Sequence, residues 1–293
     1  MMKKTLGLIG ATCLVLSAAV PLAGEEPGPP PKVLQIFREE VKPGKSAAHE
    51  KFEAGWPKAF AKANWPTHYI ALSSLTGPNE AWFAAGYDSF AAWEKDQKDL
   101  EKNAALTTEM ERLSEKDGEF ISSGRGLVAI NRDDLGYGPH VDIAKMRYFR
   151  IVTFRVRPGH DNDFTNAVKI VKDAYKKANV ALSWAVYQVS AGLPSPTFMV
   201  WIPMRSLDEA DAALKAMKAI QEAEGEEGQK ALSKAASEGY ISVEQNYFAI
   251  SSKMSYPPKE WVALDPAFWA PKPAATPAKK ETKKEAAKPA EKK

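Results

Sequence analysis

His49 and Glu53 stand four residues apart in a segment, Ser46 to Ala63, whose apolar residues Phe52, Trp56, Phe60 and Ala63 recur at helical spacing. Residues four apart share one face of a helix, so an imidazole and a carboxylate are set side by side. Such a pair can hold a proton between them, or supply two ligands to an ion. A metal centre needs a third ligand and an orienting partner. No residue at a fixed spacing supplies either, so no metal site is expected. Arg38, Trp56, His68 and Trp82 are also of types that line ligand pockets, and with His49 and Glu53 they are expected to form one amphipathic pocket. Taken singly, each has a plainer role: a tryptophan packs a core, and a His-Glu pair on a first helical turn reaches solvent.

These side chains stand out because the chain repeats itself. Val41-Lys42-Pro43-Gly44 returns as Val156-Arg157-Pro158-Gly159, and at the same offset Phe60-Ala61-Lys62-Ala63-Asn64 returns as Tyr175-Lys176-Lys177-Ala178-Asn179. Further on, Phe120-Ile121-Ser122 is echoed by Tyr240-Ile241-Ser242 after small insertions. A period of this length is that of a duplicated small domain, not of a solenoid. At the equivalent places the second copy carries Phe164 for His49, Val168 for Glu53, Thr153 for Arg38, Ser183 for His68 and Met199 for Trp82. A polar group where the other copy has a core residue costs burial energy and asks for a reason.

The 293 residues suffice for about two domains. Residues 1–24 have Lys3-Lys4, an apolar run from Leu6 to Val20 and then Ala23-Gly24, the pattern of a cleaved secretory signal, and the run is short for a membrane span. A secreted or periplasmic location is expected, with no transmembrane segment after cleavage. The one cysteine, Cys13, lies in that leader, which leaves the remainder without disulfides or thiolate chemistry. The net charge of +3 is made by the ends: 8 Lys against 3 Glu lie in residues 271–293, and the body before them is slightly acidic. Nucleic-acid binding is therefore not expected. The tail reads as a solvated, disordered end able to touch an anionic envelope surface. The composition leaves monomer and homodimer open.

Each copy reads in the order strand, helix, strand, strand, helix, strand, the α+β plan of a ferredoxin-like βαββαβ unit. The expected division is a Pro-rich lead-in at 25–32, a first repeat at 33–132, a linker at 133–146, a second repeat at 147–252 and an aromatic extension at 253–270. The extension is expected to lie across the body in extended form. Ser206 and Glu209 suggest a capping box, and helix breaks are expected near Asn103 and at Gly225 to Gly228. With both helices on one side of each antiparallel sheet, the bare faces should bury against each other.

The strand ending in Val-(Lys/Arg)-Pro-Gly, the amphipathic helix and the aromatic hairpin leading into Ser89-Phe90-Ala91-Ala92-Trp93-Glu94 resemble the dimeric α+β barrel superfamily, in its NIPSNAP-like and antibiotic-biosynthesis-monooxygenase-like branches. The resemblance covers about Val33 to Ser252, once per half. It implies two fused ferredoxin-like repeats that imitate a dimer, with a ligand held between helices and sheet of the first half. It also implies two candidate activities, cofactor-independent oxygenation and haem binding or degradation. No cofactor is expected from the residues themselves. If haem is bound, His49, His68, His140 and His160 are the axial candidates, His140 reading as linker and His160 as a helix start. No Ser-His-Asp spacing, phosphate loop or close carboxylate pair points to hydrolysis or nucleotide chemistry.

Overall fold

The computed structural model describes residues 27–270, so the leader and the Lys-rich tail lie outside the described residues. The first half contains β1 (Val33–Val41), α1 (Ser46–Glu53), α2 (Gly55–Lys62), β2 (Tyr69–Ser74), β3 (Glu80–Tyr87), α3 (Phe90–Lys102), α4 (Ala104–Asp117) and β4 (Ile121–Asn131). The second contains β5 (Tyr148–Val156), α5 (Asp161–Lys177), β6 (Ala185–Ala191), β7 (Thr197–Met204), α6 (Asp208–Lys234) and β8 (Tyr240–Ile250), followed by α7 (Lys259–Leu264) and α8 (Pro266–Trp269).

The eight strands form one closed antiparallel barrel in the order β1-β3-β2-β8-β5-β7-β6-β4. Cut between β2 and β8 and between β4 and β6, it falls into β4-β1-β3-β2 and β8-β5-β7-β6, the same order twice. Closure removes the exposed edges that an open sheet would offer for aggregation. Strand alternation then sorts side chains by face. Leu34, Ile36, Leu72, Trp82, Leu127, Phe149, Ile151, Tyr187, Met199, Trp201 and Phe248 fill the interior from both halves. Val41, Ala71 and Ala81 face outward in the first half, as do Val152, Val156, Phe198 and Val200 in the second, where helices cover them.

Both copies of Val-(Lys/Arg)-Pro-Gly end their strands in the same way. Gly44 and Gly159 take φ of 76° and 90°, a region where a side chain is strained, so the turn from strand to helix depends on glycine. Asn64 and Asn179 close the following helices at φ 49° and 51°, which asparagine tolerates better than most residues.

Several details differ from the sequence reading. The helix expected over Ser46 to Ala63 is two helices, with a break at Ala54. Pro57 has no N–H to give the Glu53 carbonyl, and the equivalent place in the second half is Lys172, where α5 runs unbroken for 17 residues. Ser206 is not the cap of α6; Leu207 is, while the Ser206 hydroxyl bonds Asp208 and Glu209 accepts from the Arg205 N–H. Asn103 does cap α4, and Gly225 kinks α6 at φ 67°. The extension is extended only around Tyr256, and from Lys259 onward it is helical. Tyr256 exchanges two backbone hydrogen bonds with Tyr69, and buried Trp269 donates to the Ala144 carbonyl at 2.8 Å. Among the described residues no helix is long and apolar enough to cross a membrane.

Candidate functional site

Glu39 is on the outward face of β1, next but one to Val41, and α1 lies over it. His49 Nε2–H donates to Glu39 Oε2 at 2.8 Å. One turn on, Glu53 sits at the last position of α1 and accepts from Trp56 Nε1 at 2.9 Å. Asp117, the last residue of α4, points into the same space, its Oδ1 3.6 Å from His49 Nε2. The four side chains belong to residues only 2–6 % exposed, and one ligand atom from each lies within 4.8 Å of the others.

Three carboxyl groups and one imidazole in a dry space cannot all be ionised freely, because burial and mutual repulsion both penalise the anions. Burial, then the Glu39 and Asp117 charges, push Glu53 up to about 9. Asp117 rises to about 6, through burial and then Glu39, with His49 opposing. Its Oδ1 has no hydrogen-bond partner, nor has the neighbouring Tyr69 hydroxyl. The Tyr69 pKa is held well above its ordinary value by burial first and then by Glu53 and Glu39.

A second site lies at one end of the barrel. A cavity of about 600 Å³ opens there between the strand ends, the lead-in at Pro27–Pro31 and the segment from Asn131 to Ile143. Its wall carries Tyr137, Phe149, Trp184, Tyr187, Trp201 and Trp261. The Tyr137 hydroxyl and Trp184 Nε1 are turned to backbone carbonyls, which leaves aromatic faces to the cavity. His68 also lines it, 4.6 Å from Tyr256 between ring centres; its Nδ1 is unpartnered and burial lowers its pKa.

The six residues expected to share one pocket are thus divided among three places. His49, Glu53 and Trp56 are together under the helices of the first half. Arg38 and Trp82 are inside the barrel, where the guanidinium lies 4.3 Å over the indole and both groups bond Glu80. His68 is at the mouth. The division follows from strand alternation: Arg38 and Glu39 are neighbours in sequence and on opposite faces of β1. Of the other histidines, His160 bonds Asp163 at 2.7 Å, and His140 lines the mouth cavity.

Glu39 and Asp117 were missed. Glu39 could have been found by the comparison that exposed His49, since Phe154 stands in its place in the second half; Asp117 leaves no such mark, because its counterpart near Ser237 is polar too.

No family model matches the chain, and no curated relative matches it either. Similar solved structures include a provisionally named monooxygenase of Fusobacterium nucleatum subsp. nucleatum, with a TM-score of 0.50 at 9% identity over 75% of this chain and 93% of that one. An anthrone oxidase-like protein gives 0.50 at 14% identity over 78% and 95%. A chlorite dismutase of Candidatus Nitrospira defluvii gives 0.45 at 9% identity over 80% and 96%. At these identities the likeness is one of fold alone, a closed eight-stranded antiparallel barrel with helices packed on its outside.

Proposed function

We propose that this chain is an exported ligand-binding protein built from two fused ferredoxin-like halves, and that it takes a neutral, flat, largely apolar molecule into the mouth of the barrel. One observation carries the reading: a cavity of about 600 Å³ walled by aromatic rings. That size is in the range of small-molecule sites. The repeated strand order and the leader sequence support the duplication and the export. NIPSNAP-like and antibiotic-biosynthesis-monooxygenase-like relationships both accord with this plan.

The lining sets the ligand's charge. Among the described residues of the wall there is no Lys or Arg, while Asp133 and Asp142 are present. An anion would meet carboxylates and no counter-charge. Haem, which carries two carboxylates, therefore fits this wall poorly although His68 stands in it; His49 is held by Glu39 in the other site.

Fluorescence of the wall tryptophans tests the reading. Titration of the 25–270 body with a neutral tricyclic aromatic such as anthrone should quench saturably, and Ala185→Phe, which adds a ring to the cavity wall, should weaken binding at least about tenfold. Equal binding by wild type and Ala185→Phe, or no saturable quenching, would sink the proposal. Parallel haem titration should show no one-to-one Soret shift.

Cofactor-free oxygenation of the bound molecule is the second reading, favoured by His68. Burial keeps it neutral near pH 7 and therefore able to accept a proton. Deprotonated, electron-rich aromatics react with dioxygen more readily than their neutral forms. Oxygen uptake with anthrone that falls in His68→Gln while binding persists would support it; no uptake above the protein-free rate would remove it.

A further inference from the structure

The geometry points to a second site, separate from the barrel mouth: Glu39, His49, Glu53 and Asp117 form a centre for one divalent first-row transition ion such as Mn(II), Fe(II) or Zn(II). The distances approach those a shared ion would set, the widest separation being somewhat larger. Ligand atoms bonded at about 2.0–2.2 Å to one ion are about 3 Å apart when adjacent and about 4 Å when opposed. Here the imidazole nitrogen is 2.8 Å from Glu39 Oε2 and 3.6 Å from Asp117 Oδ1, and the four donors fall within 4.8 Å of one another.

Two further observations separate this group from an ordinary acidic cluster. Asp117 is 3 % exposed, is turned toward His49, and has an oxygen that no donor satisfies. The Tyr69 hydroxyl beside the carboxylates is likewise unpartnered. Buried polar atoms are almost always paired, so the orphaned Asp117 oxygen marks a place where a positive partner belongs, and the Tyr69 hydroxyl shows that the polar groups around it are not satisfied by one another. Trp56 Nε1 already orients Glu53, the type of outer support that metal ligands receive.

Donor chemistry selects the ion. Calcium takes six to eight oxygens and does not take imidazole readily, whereas nitrogen with carboxylate oxygen suits Mn(II), Fe(II) and Zn(II). Three carboxylates offset the ion's two charges, and His49 offers Nε2, the nitrogen turned toward Glu39. The site is closed by α1, α2 and α4, so the ion is held rather than exchanged quickly with solvent.

The test uses the mature protein, stripped with a chelator and then equilibrated overnight with Mn(II), Co(II) or Zn(II). One ion per chain should bind, read as loss of the free Mn(II) electron paramagnetic resonance signal, as a Co(II) ligand-field spectrum, and as a rise in Tm. Asp117→Asn and Glu53→Gln should each weaken binding at least about tenfold, while Glu50→Gln, whose carboxylate faces Lys253 and not the cluster, should leave it unchanged. The triple variant Glu39→Phe, His49→Phe, Glu53→Val copies side chains that the second half already packs; it should fold and bind no ion, which covers the case in which the single variants misfold. Failure of all three ions to bind below about 100 μM would overturn the proposal, as would one-to-one binding that survives in the triple variant. Because the mouth cavity plays no part in these readings, loss of this site leaves the aromatic-ligand proposal standing, and the reverse holds.

Discussion

Under the helices of the second half, Phe154 and Phe164 meet at 5.2 Å between ring centres, and Phe164 stacks on Phe198 at 4.1 Å. At the same two places of the first half Glu39 and His49 meet at 2.8 Å, and Glu53 replaces Val168. The backbones around them agree closely: nine-residue strands, a register shift before the last valine, a Pro-Gly turn and a helix starting shortly after. One scaffold therefore carries two solutions, a packed aromatic layer and a buried polar cluster. The apolar solution shows that the fold does not need the polar one. What the cluster costs in desolvation must be offset by something the aromatic layer cannot do, such as holding an ion.

Moving one residue between the halves should show that the solutions are not interchangeable piecemeal. Phe164→His in the second half removes a fully buried ring and leaves an imidazole among apolar neighbours, and a loss of about 3–5 kcal/mol in chemical denaturation is expected. A loss under about 1 kcal/mol would mean that the second half can build a polar cluster of its own.

In the first half, His49→Phe alone removes the one group that can balance Glu39 and Asp117, and should destabilise by about 3 kcal/mol. The triple exchange to Phe, Phe and Val should be neutral or stabilising by up to about 4 kcal/mol in metal-free protein, since replacing a whole buried ionic group differs from breaking it. The sign of that non-additivity, read from urea midpoints, carries the comparison.

Much of this was legible in the sequence. The Val-(Lys/Arg)-Pro-Gly echo marks strand, turn and helix because each residue has a conformational duty there, and the strand order follows from the βαββαβ plan. His49 and Glu53 showed because their counterparts are Phe164 and Val168. Glu39 hid inside Arg38-Glu39-Glu40, a run that looks like solvated charge until alternation puts its members on different faces. Asp117 ends the helix Ser114-Glu115-Lys116-Asp117, where a carboxylate is unremarkable and only the arrival of α1 makes it buried. The mouth cavity was invisible for another reason: much of its wall comes from 27–31 and 131–143, stretches without periodicity that read as lead-in and linker.

The halves should also differ in their response to pH. Glu53 has an ordinary pKa of 4.5 and is held at about 9 in the metal-free fold, and Asp117 is raised in the same direction. The folded state thus binds protons more tightly than the unfolded chain, so the stability these groups contribute is full below about pH 4.5 and is lost as pH rises toward about 9. Glu53→Gln should flatten the fall in Tm across that window. An equally steep fall in the triple variant would assign it to groups outside the cluster.

Trp56→Phe should produce the smallest change and the most local one. It keeps an aromatic body in the layer with Phe60 and Trp65 while removing the Nε1–H that Glu53 accepts at 2.9 Å. A hydrogen bond to a carboxyl group is worth about 1 kcal/mol net, more when the acceptor is charged. That donor favours the ionised form of Glu53, so its removal should raise the Glu53 pKa further and cost more stability near pH 9 than near pH 5. Metal affinity should fall only several-fold, because Trp56 orients a ligand without being one. A loss as large as that of Glu53→Gln would mean that the indole, not the carboxylate, is what the cluster depends on.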